Sequence, residues 1–257
     1  MKIAAIYNIW DGEELLIPSM KCLDGHVDLF ILTYQTKSNF GEVHNPMKNG
    51  KFKEIQAAMK TPCELALYEP VITEDNSNGT INETQKRNFG LYIAKKERCT
   101  HFLFMDCDEF YQDFGGAKKL YIALRKGHGG SVCAIETYFG KPTLKFSDVD
   151  NYKVPFIHEL HKNTQAGVRK YPFYVDPTRR VNEQDVVDLP VTMQHYSWVR
   201  KNIERKMRNS SARTAMLRLE NIVPEVQSAH EGMSVKDMSN RVLVTVPDYF
   251  NLTPIFK

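Results

Sequence analysis

Two carboxylates one residue apart, Asp106-Cys107-Asp108, close the fully apolar run His101-Phe102-Leu103-Phe104-Met105. On an extended or turning backbone both can aim at one point beyond the strand. Hard divalent cations take carboxylate oxygens, and magnesium or manganese completes its shell with substrate phosphates. Two carboxylates are too few for a closed structural site, so the pattern suits a metal that carries a nucleotide diphosphate. The plainer reading is a solvated turn or helix cap; the apolar strand in front is what favours the first.

A second pattern is cationic. Between Trp198 and Glu220 stand seven Arg or Lys and two acids, in a chain whose whole net charge is +3. Drawn as a helix over about 198–219, Val199, Ile203, Met207 and Leu217 form one stripe. Arg200, Lys201, Arg205 and Arg208 form a separate face of one sign. Such a face favours a phosphate or polyanion partner; a solvated face of unusual composition is the alternative. His158 and His161, in His-Glu-Leu-His, fall one residue short of the helical zinc spacing and read as unrelated histidines. No dinucleotide fingerprint, P-loop or nucleophile elbow is present.

The elements that must position these groups alternate in the first half. Lys2 to Ile9, Val27 to Tyr34, Cys63 to Tyr68 and His101 to Met105 read as strands. Helices are expected over 13–23, over 51–59, and from Thr80 to about Arg98. A loop is expected over 74–79, and Thr80 with Glu83 has capping-box spacing. Strand alternating with helix predicts a mostly parallel sheet covered on both faces, with ligands beyond the carboxyl ends of its strands. After residue 130 extended segments dominate: 131–139, 153–158, 168–175 and 186–196, punctuated by prolines. The expected architecture is one α/β domain over 1–257: an alternating, ligand-binding half over 1–112, and a strand-rich half over 113–257 ending in a C-terminal helix.

Composition agrees with a folded protein of ordinary core, 42% hydrophobic and 25% charged over 257 residues. No apolar run reaches the roughly 20 residues a membrane span needs, so stable membrane insertion is not expected. Five scattered cysteines suggest no disulfide framework, and a reducing cytoplasm is the simplest setting.

The stretch from Glu83 to Tyr111, with Lys86-Arg87-Asn88 ahead of the apolar strand and Asp106-Cys107-Asp108 at its end, resembles the core of GT-A-fold glycosyltransferases of the family 2 type. Ala5-Ile6-Tyr7-Asn8 with Glu13-Glu14 is similar to their first strand and nucleotide-contacting loop. The resemblance spans about residues 1–112. It departs at Thr33-Tyr34-Gln35-Thr36, where an acidic-Gly-Ser segment is usual, and it lacks the family's Glu-Asp base motif.

What the resemblance implies is a hexosyl- or pentosyltransferase that uses a nucleotide sugar, a UDP-sugar above all, with Mn²⁺ or Mg²⁺. Asp108 would bind the metal directly, and Asp106 would contact the ribose or the metal through water. His195 would be a third ligand. Lys86 and Arg87 would reach the pyrophosphate, unless they merely open a solvated helix. Asn8, Asp11 and Glu14 would line the nucleotide pocket. The base is Asp185 or Asp188, with Glu136 a further candidate. The acceptor is a glycan or glycolipid, or, in a phage-type alternative, the hydroxymethylated pyrimidines of DNA, whose backbone Arg200, Lys201, Arg205 and Arg208 would grip. A nucleotidyltransferase lacks its glycine-rich loop here. A non-catalytic nucleic-acid-binding protein explains the basic segment but not the acidic strand end.

Overall fold

The chain is described from a computed structural model over residues 1–73, 79–210 and 221–257. In chain order the elements are β1 (Ile3–Ile9), α1 (Glu13–Leu23), β2 (Leu29–Tyr34), α2 (Lys51–Ala58), β3 (Cys63–Leu67), α3 (Gly79–Lys96), β4 (His101–Asp106), β5 (Glu109–Phe110), α4 (Phe114–Leu124), β6 (Gly130–Phe139), β7 (Leu144–Phe146), β8 (Val154–Glu159), β9 (Val186–Trp198), α5 (Ile203–Asn209), α6 (Ile222–Ser228), β10 (Ser234–Val235) and β11 (Arg241–Thr245). All belong to one α/β sheet with helices on both faces.

The first half is parallel, in the order β3-β2-β1-β4. Its strands are buried on both faces, which is why Ile3-Ala4-Ala5-Ile6-Tyr7 and Phe102-Leu103-Phe104-Met105 read as continuous apolar runs. One face packs Leu16, Met20 and Leu23 of α1, Ile55 of α2 and Phe114 of α4 against Tyr7, Phe30 and Leu103. The other packs Leu91, Ile93 and Ala94 of α3 on Ile6, Ile31 and Phe104. The N-terminal turns of α3 bury Asn82, Glu83, Lys86 and Arg87 instead. A helix whose buried face is charged at one end is usually spending that end on a site.

Beyond β4 the sheet becomes mixed. β8 runs antiparallel to β4, β6 antiparallel to β8, and β9 parallel to β6. The short strand β5 pairs with β9, Glu109 opposite His195 and Phe110 opposite Gln194. This pairing stitches the loop after β4 to a strand some 90 residues later, and Tyr196 N donates to Asp108 O at 2.8 Å.

Three expectations change. Residues 168–175 form no strand; only isolated bridges, Lys153 to Val175 and Ala166 to Val181, tie that segment down. Pro172 lacks the N–H a ladder needs. The long helix expected over 198–219 is interrupted: β9 runs through Trp198, and the described helix is α5, capped where the Asn202 side chain accepts from Arg205 N at 2.8 Å. Arg213, Leu217 and Arg218 lie outside the described residues, as does the loop over 74–78. The described chain also continues past α6 into β10 and β11, which extend the sheet through β7. Among the described residues no helix is long and apolar enough to cross a membrane.

Candidate active site

β1 is the point where the order of the parallel strands reverses: β2 and β3 lie to one side, β4 to the other. Asn8 and Asp106 are register partners at the carboxyl ends of β1 and β4. Crevices at such switch points are where open α/β sheets take ligands. A cleft of about 520 Å³ opens there, lined by Asn8, Lys86, Asp106, Asp108, His195 and Arg200, among others.

The acidic strand end is not open to solvent on its own. Asp106 accepts from Arg87 Nη2 at 3.2 Å and from Arg179 Nη2 at 2.7 Å. Arg179 also clasps Glu109 through both terminal nitrogens, and Glu109 caps Asp106 N at 2.9 Å. Arg87 further pairs with Glu83 at 2.8 Å, one turn back along α3. Burial alone would raise the Asp106 carboxyl, but Arg87 and Arg179 hold it down to about 2. Glu109 is pushed up by its burial despite Arg179.

Asp108 is enclosed by cations. Its side chain is 3% exposed, and Oδ2 is shared by Arg200, by Lys206 Nζ at 3.0 Å and by His195 Nε2 at 3.5 Å. Burial opposes the ionised form, yet these three groups hold the carboxyl well below the usual range. Lys206 is steadied by Ser197 Oγ at 2.8 Å. Arg200 lies over Gly12, whose backbone has φ +81°; a Cβ there would stand 2.7 Å from the Arg200 Cζ. Glycine is therefore needed at residue 12 both for its left-handed backbone and to admit the guanidinium.

The part of the cleft beside the end of β1 holds unmet polar atoms. Asn8 Oδ1, Trp10 Nε1 and Asp11 Oδ2 line it, are buried, and have no hydrogen-bond partner. Lys86 Nζ donates to Ile9 O at 3.0 Å and to Gln35 Oε1 at 2.9 Å. Its burial brings its pKa down to about 7, against the pull of Glu83 and Asp106. Tyr152, Asp150, Asp176 and Trp198 also line the cleft. Both Asp150 oxygens are engaged, by Thr137 and Arg241, each at 2.6 Å. Asp176 uses Oδ1 to accept from Thr178 N and Oγ1, at 2.8 and 2.9 Å.

Measured against the expectations from sequence, Asn8, Asp11, Lys86, Asp106, Asp108 and His195 converge on one cleft. Arg87 does not line it; it sits behind, fully buried, holding Asp106. Glu14 does not line it either, and accepts from Lys201 N at 3.1 Å. Asp185 and Asp188 are at the wrong end. They sit beside the start of β6, where Val132 is register partner of Asp188, while Thr137 partners His195. Seven residues of strand separate Asp188 from His195, roughly 20 Å at ~3.3 Å per residue. Asp188 instead pairs with Lys153 at 2.8 Å. Glu136 pairs with Lys145 at 2.6 Å and is also outside the cleft lining.

The cationic face is also divided. Arg200 turns inward to Asp108, whereas Arg205 and Arg208 both approach Glu42, at 3.5 and 3.7 Å, and Lys201 is exposed. The helical wheel failed because Arg200 lies before α5 begins. Sequence reasoning missed Arg179, Lys206, Trp10, Gln35 and Asp176. Asp176-Pro177-Thr178 has the form of a capped turn that fixes the following arginine, and that signal was readable.

As a metal centre, Asp106, Asp108 and His195 do not act together. Among the described residues no three His, Cys, Asp or Glu side chains are grouped to hold an ion. The carboxylates are also taken: Arg200 and Lys206 share the Asp108 Oδ2 that a divalent ion would need, and Arg87 and Arg179 hold Asp106. The arrangement does not fit a divalent cation. His158 and His161 behave as unrelated histidines: the first is buried, with Tyr171 OH 2.7 Å from Nε2, and the second is on the surface beside Glu159.

No family model and no curated protein matches the sequence. Among solved structures the chain is similar to Staphylococcus aureus TarS 1-349 (12% identity, 84% of this chain and 69% of that one, TM-score 0.45). It is similar to the same protein in complex with UDP (15% identity, 53% and 36%, TM-score 0.36). It is also similar to glucosyl-3-phosphoglycerate synthase from Mycobacterium tuberculosis, in complex with Mn²⁺, UDP and phosphoglyceric acid (11% identity, 96% and 87%, TM-score 0.41). The match spans about a third of the length of the UDP-bound TarS chain.

Proposed function

We propose that this chain transfers a sugar from a nucleotide sugar, with a UDP-sugar the first donor to test, to a hydroxyl of a glycan or glycolipid. One observation carries the reading. At the switch point of the sheet, a single cleft joins unmet polar atoms of Asn8, Trp10 and Asp11 to a buried cluster of cations. A nucleoside diphosphate has the complementary shape: a polar base and ribose at one end and concentrated negative charge at the other. Asn8, Trp10 and Asp11 take the nucleoside, and Arg200 with Lys206 take the phosphates. Tyr152, Trp198 and Asp176 remain for sugar and acceptor.

In the reaction the bond from the sugar's anomeric carbon to the diphosphate oxygen breaks, and its electron pair leaves with the diphosphate. The acceptor oxygen forms the new bond to that carbon and gives up its proton. Fixed cations stabilise the charge that builds on the leaving group without reorganising, which is the largest usual source of catalysis. The proton needs a carboxylate on the acceptor side. Asp176 is the one we assign: it lines the cleft, Thr178 fixes its Oδ1, and the Asp150 oxygens are already engaged.

The DNA acceptor loses its main support, because Arg200 faces Asp108 and Glu42 partly neutralises Arg205 and Arg208. The test is nucleotide release across UDP-, GDP- and CMP-sugars, with and without a panel of glycan acceptors. Release from one donor class supports the reading. No release from any donor, together with no binding of any nucleoside diphosphate, refutes it.

A further inference from the structure

We infer that Arg200 and Lys206 stand where a divalent cation would otherwise be needed, so that this cleft holds a diphosphate with its own side chains and without a metal. The inference rests on the glycosyltransferase reading and specifies how its donor is bound.

Three observations converge on it. The first is the sign of the site. Asp108, the carboxylate at the tip of the acidic strand end, is buried and already shares Oδ2 with Arg200, with Lys206, whose pKa burial lowers, and with an imidazole. At Asp108 itself the cations outnumber the carboxylate two to one, so a metal there would have to displace Arg200 or Lys206. The second is unmet capacity. Arg200 lines the cleft with a side chain only 6% exposed, and its Nε and Nη1 are buried without partners. A buried guanidinium with two idle nitrogens lacks an acceptor, and a phosphate oxygen is the acceptor its planar fork fits best. Lys206 also lines the cleft, and its ammonium has three donors, of which Asp108 and Ser197 take two.

The third observation is that the cations are seated by the fold. Arg200 lies in a niche that exists because residue 12 is glycine. Lys206 projects from α5, whose Ile203 and Met207 are buried in a core with Trp198 and Ile222. Asp108 thus acts as a positioning residue: it holds two side chains, one just after β9 and one from α5, at the wall of the cleft.

The test is calorimetric titration of the full chain with two probes, UDP and inorganic pyrophosphate, in EDTA and in millimolar Mn²⁺. Pyrophosphate reads the phosphate site whatever base the donor carries. The expected result is binding of both probes in EDTA, with affinity changed by Mn²⁺ less than about twofold. Lys206→Met should weaken both probes about tenfold to a hundredfold in EDTA, the worth of one hydrogen bond to a charged group. Lys206→Arg, which keeps the charge, should recover most of it, and unchanged melting of the unliganded variants shows that they fold. Binding that requires Mn²⁺, or that ignores Lys206→Met, overturns the inference and leaves the glycosyltransferase reading standing. Absence of binding by either probe in both buffers overturns the two together.

Discussion

Gly12→Ala tests whether the niche under Arg200 matters, and the chain contains its own control. Gly12 and Gly50 occupy the same place in two helices, each the residue before the first turn, with φ +81° and +77°. Alanine in that left-handed region costs about 1–2 kcal/mol at either position. Around Gly50 a new Cβ meets nothing within 4 Å. Around Gly12 it meets the Arg200 guanidinium, which must shift, and we expect that shift to break its hydrogen bond to Asp108. Losing a hydrogen bond between a cation and a buried carboxylate adds about 1.5–3 kcal/mol. At about 2–4 °C per kcal/mol for a chain of this size, Gly12→Ala should melt about 3–12 °C below Gly50→Ala. Differential scanning calorimetry on the two variants measures that gap. UDP titration should show weakened binding only in Gly12→Ala. Equal melting and equal UDP affinity in both variants would refute the idea that Arg200 is held over Gly12 for the site.

Asp176→Asn should abolish transfer to the acceptor while leaving UDP affinity unchanged; equal loss of both would show that Asp176 serves the donor and not the proton. Asp185→Asn and Asp188→Asn should transfer at the wild-type rate, since both lie at the amino end of β9; the second forfeits only a half-exposed ion pair with Lys153, worth about 0–1 kcal/mol. A large loss of rate in either would restore them as candidate bases. Burial pushes His158 from 6.5 down to about 3. The unfolded chain therefore takes up a proton that the folded chain refuses, and stability is lost as pH falls from about 6.5 toward 3. Urea midpoints measured across that range should fall less steeply for His158→Phe than for the wild type, and parallel curves would contradict the buried neutral histidine.

The sequence by itself determined the parallel half of this protein. Runs such as Ile3 to Tyr7 and Phe102 to Met105 are apolar at every position, and only a strand covered on both faces tolerates that. Because such strands carry ligands at their carboxyl ends, Asp106 and Asp108 stood out from local pattern, and Asn8 from the resemblance, as candidates that the fold brings to one cleft. What the sequence left undecided was which distant groups meet them. The pairing of β5 with β9 brings His195 across from Glu109, and the turn after β9 swings Arg200 back over Gly12. No periodicity encodes either event, because both depend on long-range strand register. The same limit explains Asp185 and Asp188: their spacing was suggestive, but the direction of β9 puts them at the far end of the sheet. It also explains the basic segment. Composition shows how many cations there are, but tertiary contacts decide that Arg200 and Lys206 neutralise a buried carboxylate while Arg205 and Arg208 approach Glu42. Charge is counted along a chain, but its effect depends on what each charge faces, and only the folded structure decides that.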